Sequence, residues 1–173
     1  LTGTMWAWQG LGVEPDMFAF GKKVQVCGLA ANRRIDEVKE NVFAVSSRIN
    51  STWGGNLVDM VRARRYLEII DEENLVENAR VVGGYLKEKL EEVAAEFPGK
   101  VGNVRGKGLF IAFDLPDGPT RGKVLSTWLQ KHNVMGLSSG ESAIRLRPAL
   151  TLSKDEALLG VQRLRATLTE VFG

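Results

Sequence analysis

The sequence predicts an α/β protein. The closing portion of a larger α/β domain covers residues 1–56, a connecting helix covers 57–73, and a complete small α+β domain covers 74–173. Three observations carry this. The apolar run Met17-Phe18-Ala19-Phe20 lies between Pro15-Asp16 and Gly21, as a strand buried on both faces does. From residue 74 onward the apolar spacing alternates helix, strand, strand, helix, strand, strand, helix, which puts helices on one face of a mainly antiparallel sheet. Ser153-Lys154-Asp155-Glu156 reads as a capping box that opens a last helix.

Taken in order, Met17–Phe20 is the first strand and the run Val24–Ala31 the second. Ile35–Phe43 reads as a short helix, and Ser46–Asn56 as a loop by composition. Leu57, Met60, Val61, Leu67 and Ile70 form one stripe of the connecting helix. Leu75, Ala79, Val82, Leu86, Leu90, Val93 and Phe97 repeat at three- and four-residue steps until Pro98-Gly99 stops them. Val101–Val104 and Leu109–Leu115 read as strands, Val124–Lys131 as a helix, and Val134–Leu137 and Ala143–Leu146 as strands. Ala157, Val161, Leu164, Leu168 and Val171 then mark the terminal helix. The first residue is Leu1, and the opening LTGTMWAWQGLGVEPD reads as the middle of a domain, so a fragment is expected.

Composition bounds the function. The chain has 173 residues, 44% hydrophobic and 25% charged, which are globular values. Lys+Arg 23 against Asp+Glu 21 leaves a net charge of +2, too little for a field that gathers nucleic acid or an anionic membrane. One Cys and one His make neither an internal disulfide nor a zinc site. The charge-free opening to Val13 is too short to span a bilayer. A soluble, cytoplasmic protein is expected.

Three groups of residues could carry chemistry. Lys22, with Lys23 beside it, follows a strand and a glycine, where α/β folds present ligands; desolvation there would free an amine as a nucleophile. The same pair also reads as a solvated turn, and local spacing does not choose between the two lysines. Ser51-Thr52-Trp53-Gly54-Gly55-Asn56 offers hydroxyls and backbone N–H groups ahead of a helix, suited to a phosphate, or simply an N-capping loop with Asn56 as the cap. Arg145 and Arg147 stand two apart on a strand and so share a face, which suits either a carboxylate fork or surface ion pairs. His132 reads as a helix C-terminal residue and Cys27 as a small core residue.

These signals, in this order, resemble the class III pyridoxal-phosphate aminotransferases of fold type I. Pro15-Asp16-Met17-Phe18-Ala19-Phe20-Gly21-Lys22 resembles the segment that carries their cofactor lysine. Ser51-Thr52-Trp53-Gly54-Gly55-Asn56 is similar to their Thr-Phe-Gly-Gly-Asn stretch. Val104-Arg105-Gly106-Lys107-Gly108-Leu109 resembles their Arg-Gly-x-Gly-Leu turn, and Ile144–Leu150 their Arg-x-x-Pro-Pro-Leu strand. Two departures stand out: Lys23-Val24-Gln25-Val26-Cys27-Gly28 replaces the usual glycine run, and Ala149 replaces the second proline. The first departure, with Arg48-Ile49-Asn50-Ser51-Thr52, resembles the branch that acts on the ε-amine of L-lysine.

The resemblance implies that Lys22, not Lys23, holds pyridoxal 5'-phosphate and shuttles a proton. It implies that Thr52 binds the cofactor phosphate at the active site of the other subunit of a homodimer, with Asn50 and Ser51 flanking. Arg145 is implied to grip the substrate α-carboxylate. The implied reaction passes the ε-amino group of L-lysine to 2-oxoglutarate, giving 2-aminoadipate 6-semialdehyde and glutamate, with neither nucleic acid nor membrane as partner. The family's pyridine-facing Asp, phosphate turn and ring-stacking aromatic are expected upstream of Leu1. The alternatives are another ω-aminotransferase of the class, acting on ornithine, acetylornithine or 4-aminobutyrate, and an inactive piece or dimerisation module.

Overall fold

The computed structural model describes residues 1–173 apart from the side chain of Lys23, so the choice between the two lysines lies partly outside what is described. The chain forms two compact units, Leu11–Asn74 and Leu1–Gly10 with Leu75–Gly173.

In the larger unit, helices α2 (Leu75–Glu96), α3 (Gly118–His132) and α4 (Lys154–Phe172) accompany strands β3 (Gly102–Lys107), β4 (Phe110–Asp114), β5 (Leu137–Ser139) and β6 (Ala143–Leu146). The labels β1, β2 and α1 belong to the smaller unit: β1 is Met17–Phe20, β2 is Gly28–Ala31 and α1 is Leu57–Glu72. The four-stranded sheet runs β3-β4-β6-β5 and is antiparallel throughout. Strand alternation sends Ile111, Phe113 and Ile144 to one face, where they join Val82, Leu86, Leu90 and Val93 of α2, Trp128 of α3, and Val161, Leu164 and Leu168 of α4. This is the one-sided α+β layer predicted. Burying such a side chain contributes about 1.5–3 kcal/mol, so these apolar positions hold the layers together.

Local chemistry sets the ends of the elements. Ser153 Oγ accepts from the Glu156 N–H at 3.2 Å while Glu156 returns a carboxylate to the Ser153 N–H at 2.8 Å, the capping box read from the sequence. Asp117 caps α3 through the Thr120 N–H at 2.7 Å. The α3 C-terminus closes with Asn133 in the left-handed conformation (φ 54°), and Val134 N–H donates to Trp128 O at 3.1 Å. That bond is why β5 begins at Leu137 and not at Val134: the helix cap uses the backbone group a strand would need. Asn78 Nδ2 donates to Leu150 O at 2.6 Å and Leu152 O at 3.1 Å, which ties α2 to the connection between β6 and α4. The buried Thr167 hydroxyl is satisfied by Arg163 O, at 2.8 Å.

Residues 1–10 were expected with the preceding domain, but they pack in the larger unit. Leu109 N–H donates to Leu1 O at 2.9 Å, and the Lys107 ammonium bonds Gly10 O. A short 3-10 helix, Ala7–Leu11, follows.

In the smaller unit β1 and β2 pair antiparallel, Met17 opposite Ala31 and Phe20 opposite Gly28. The hairpin is closed at its open end by Asp16, which accepts from Asn32 Nδ2 at 3.1 Å and Arg34 Nη1 at 2.8 Å. These bonds hold the Asp16 carboxyl below its ordinary range. Within this chain β1 alternates exposed and half-buried residues, with only β2 beside it in a two-stranded sheet. The second strand is shorter than expected. Lys22–Val24 is a 3-10 turn and Gln25 is left-handed (φ 71°), so extended backbone resumes only at Gly28, and Cys27 is exposed instead of in a core. The expected helix over 35–43 is reduced to a 3-10 turn at Arg33–Glu37. Asn41 breaks it: its Nδ2 donates to Ile35 O and Val38 O, while its Oδ1 accepts from Phe43 N–H and Ala44 N–H. Helix α1 forms as predicted, but its apolar stripe lies open, with Leu57 75% and Val61 70% exposed, and Ala63 is its one buried residue.

Candidate active site

Gly21 and Lys22 leave the carboxyl end of β1 abruptly. Lys22 takes φ 59°, in the left-handed region that costs a side chain roughly 1–2 kcal/mol. Its side chain is exposed, and Lys22 O accepts from the Gln25 N–H at 3.1 Å. The strained turn therefore presents the lysine at a strand end, away from the β1–β2 ladder.

The 50–56 loop belongs to the same unit. Gly54 N–H donates to Ser51 O at 3.0 Å, forming a tight turn. Asn56 is committed to capping: its Oδ1 accepts from Val58 N–H at 3.0 Å and Asp59 N–H at 3.4 Å. Asn50, Ser51 and Thr52 are exposed and, among the described residues, their side chains have no hydrogen-bond partner. The two readings of this stretch thus divide by residue. Asn56 caps, and the Ser51 and Thr52 hydroxyls are left available ahead of a helix N-terminus, a donor set that fits a phosphate.

Arg145 lies in the other unit, on β6, which has strand neighbours on both sides. Its cross-strand partners are Ala112 on β4 and Leu137 on β5. Arg105 pairs with Ala112 on the same row, but Arg105 is engaged with Asp114 at 2.8 Å. Burial pushes the Asp114 carboxyl up, yet the bonds from Asn103 and Arg105 outweigh it and hold it low. No ion pair occupies Arg145 among the described residues, and its Nε is buried without a partner. A half-buried guanidinium with an unmet N–H suits an anionic group from outside the sheet. Arg147 lies past the end of β6 and is exposed, so the two arginines do not form a strand-borne fork. An apolar cavity of about 300 Å³, lined by Leu86, Leu90, Trp128 and Leu164, has Arg145 and Arg147 on its border.

His132 is in the last turn of α3 with its Nε2 buried and unpartnered. No cluster of three or more His, Cys, Asp or Glu among the described residues could hold a metal ion, and no helix is long and apolar enough to cross a membrane. Sequence reasoning passed over Gln25, which contacts the lysine turn. Its signal was its place in the unusual Lys-Val-Gln-Val-Cys-Gly segment.

The chain belongs to the class-III aminotransferase family, whose pattern matches residues 1–168. Over 99% of its length it is 51% identical to the L-lysine-epsilon aminotransferase of Streptomyces clavuligerus and 52% identical to that of Mycobacterium tuberculosis. The structure of lysine aminotransferase from M. tuberculosis in the internal aldimine form superposes with a TM-score of 0.93 at 51% identity, covering 98% of this chain and 39% of that one. The fold is thus part of the pyridoxal-phosphate-dependent aminotransferase fold expected. The chain spans 37% and 38% of the length of these two relatives.

Proposed function

We propose that the full-length protein is a pyridoxal 5'-phosphate-dependent aminotransferase that moves the ε-amino group of L-lysine to 2-oxoglutarate, forming 2-aminoadipate 6-semialdehyde and L-glutamate. The observation that carries this reading is Lys22, left-handed and exposed at the end of β1 in a unit that also holds the free Ser51 and Thr52 hydroxyls. The bound cofactor supplies an electron sink for the carbon that bears the reacting amine. Lys22 Nζ holds the cofactor and carries the proton to and from that carbon. The Thr52 hydroxyl donates to the cofactor phosphate at the active site of the partner in a homodimer, with Asn50 and Ser51 flanking. Arg145 grips the substrate carboxylate.

That last role explains the choice of amine. L-lysine has two amines and one carboxylate, and reaction at the far amine requires the carboxylate to be anchored away from the reacting centre. A guanidinium does this with two parallel charge-assisted bonds. The domain roles follow: Leu11–Asn74 belongs to the large cofactor-binding domain and Leu75–Gly173 to the small domain. A cytoplasmic enzyme without nucleic-acid or membrane partners completes the reading.

Borohydride reduction of the full-length holoenzyme followed by peptide mapping tests it. The cofactor is expected on Lys22; its recovery on any other residue overturns the assignment. Glutamate formation is expected with L-lysine as donor. Turnover confined to ornithine or 4-aminobutyrate would remove the lysine reading while leaving the family intact.

A further inference from the structure

Gln25 bridges the lysine turn and α1 with the two ends of its side chain. Its Nε2 donates to Lys22 O at 3.4 Å, and its Oε1 accepts from Arg62 Nη1 at 3.2 Å. The opposite amide orientation would aim an NH₂ at a guanidinium, so the arginine fixes which end faces which. Arg62 is itself held on α1 by Asp59, at 3.0 Å. Asp59 N–H is in turn bonded to the Asn56 cap, the last residue of the 51–56 loop. The lysine turn and the hydroxyl loop are thus joined by a run of bonded groups through α1, although Gln25 and Arg62 are 37 residues apart. The turn needs such support, since both Lys22 (φ 59°) and Gln25 (φ 71°) are left-handed, a conformation that persists in non-glycine residues only where the surroundings hold it.

We propose that Gln25 and Arg62 are positioning residues: together they fix the turn bearing Lys22 against α1, and so hold the lysine amine in place. This deepens the reading above and rests on Lys22 as the cofactor lysine. Gln25 and Arg62 act through Lys22 and are not themselves assigned contact with substrate. Loosening the strut leaves the amine present but less often in place, so it slows the proton-moving step and speeds cofactor loss without altering how the amino donor binds.

The test uses the full-length holoenzyme with Gln25→Ala, Arg62→Ala, the double variant, and Gln25→Glu, which keeps a charge-assisted partner for Arg62. Each alanine variant is expected to lower kcat and raise the rate of cofactor loss on dialysis by about three- to tenfold, the scale of one or two hydrogen bonds. KM for the donor stays within about twofold, and the double variant is no worse than either single one, because both break the same strut. Gln25→Glu, which keeps the acceptor for Arg62 but has no N–H to give Lys22 O, recovers only part of the loss. Strictly additive effects, an unchanged rate of cofactor loss, or a change confined to the melting temperature of the apo form would overturn the proposal. Peptide mapping of the reduced wild type separates the two levels. A label away from Lys22 removes the underlying reading, whereas a label on Lys22 with an inert Gln25→Ala removes only the strut.

Discussion

Gly83 of α2 lies directly against Gly108 in the turn between β3 and β4: a Cβ on Gly83 would stand 2.1 Å from the Gly108 carbonyl carbon. That carbon is backbone and cannot swing aside. Gly108 is itself left-handed (φ 54°), and a Cβ on it would meet Leu1 O at 2.4 Å. The two glycines let the helix, the turn and the amino-terminal residues come together in one layer.

Gly83→Ala is therefore expected to destabilise the protein by about 1–3 kcal/mol or more, through overpacking against backbone. The neighbouring Gly84 is the control, since nothing lies within 4 Å of a Cβ there. Gly84→Ala should be neutral or stabilising by up to about 1 kcal/mol, because alanine is the better helix former. Denaturation midpoints of the two full-length variants should move in opposite directions, or only the Gly83 variant should move.

Asn56 and Thr52 sit in one loop but should fail differently. Asn56→Ala removes a cap that accepts two backbone N–H bonds and should cost about 0.5–2 kcal/mol of stability. Thr52→Ala removes no bond within the described structure, so stability should hold while affinity for pyridoxal phosphate falls by about tenfold, as expected for one charge-assisted hydrogen bond. Melting curves of the apo protein and cofactor titrations separate the two.

Arg145→Lys should be costly even though charge is kept, because a lysine cannot supply the planar fork. A loss of about ten- to a hundredfold in kcat/KM for L-lysine is expected, the equivalent of roughly 1.5–3 kcal/mol for a charged hydrogen bond. The exposed Arg147, past the strand end, should tolerate alanine with a much smaller effect. Steady-state kinetics on both variants gives the comparison.

Acid should loosen the link between α2 and α4. Arg165 donates from Nε to Glu96 at 2.5 Å and from its terminal nitrogen at 2.8 Å, and this pairing holds the Glu96 carboxyl below its ordinary range. The Ser153 N–H and hydroxyl do the same for Glu156 at the start of α4. A carboxylate whose folded value lies below the unfolded one adds stability above the unfolded value, and that contribution disappears as pH falls through the folded value. Stability should therefore decline below about pH 4, the ordinary carboxylate range. Glu96→Gln should flatten that decline, which urea titrations at successive pH values would measure.

The elements of the larger unit were legible because their signals are local. The spacing of Leu75 to Phe97, the Ser153–Glu156 box and the Pro98-Gly99 stop all act within a few residues, and each element they mark is present. The strands were placed less well, since the Asn133 cap takes the Val134 N–H and delays β5. Of the candidate residues, Lys22 follows a strand, Ser51 and Thr52 precede a capped helix and Arg145 lies on β6, as their local signals read, although the strand before Lys22 is half exposed. Gln25 was passed over because its role depends on Arg62, which no local pattern connects to it.

Periodicity, caps and turn residues determined the order of helices and strands, because those effects arise between groups one to four positions apart. The path of the chain decided the rest: that Leu1–Gly10 packs with Leu75–Gly173, that Arg145 is left without a carboxylate while Arg105 is given one, and that Gln25 meets Arg62. Each of these depends on residues distant in sequence being brought within a few ångströms. Only burial and hydrogen bonding in three dimensions select such contacts.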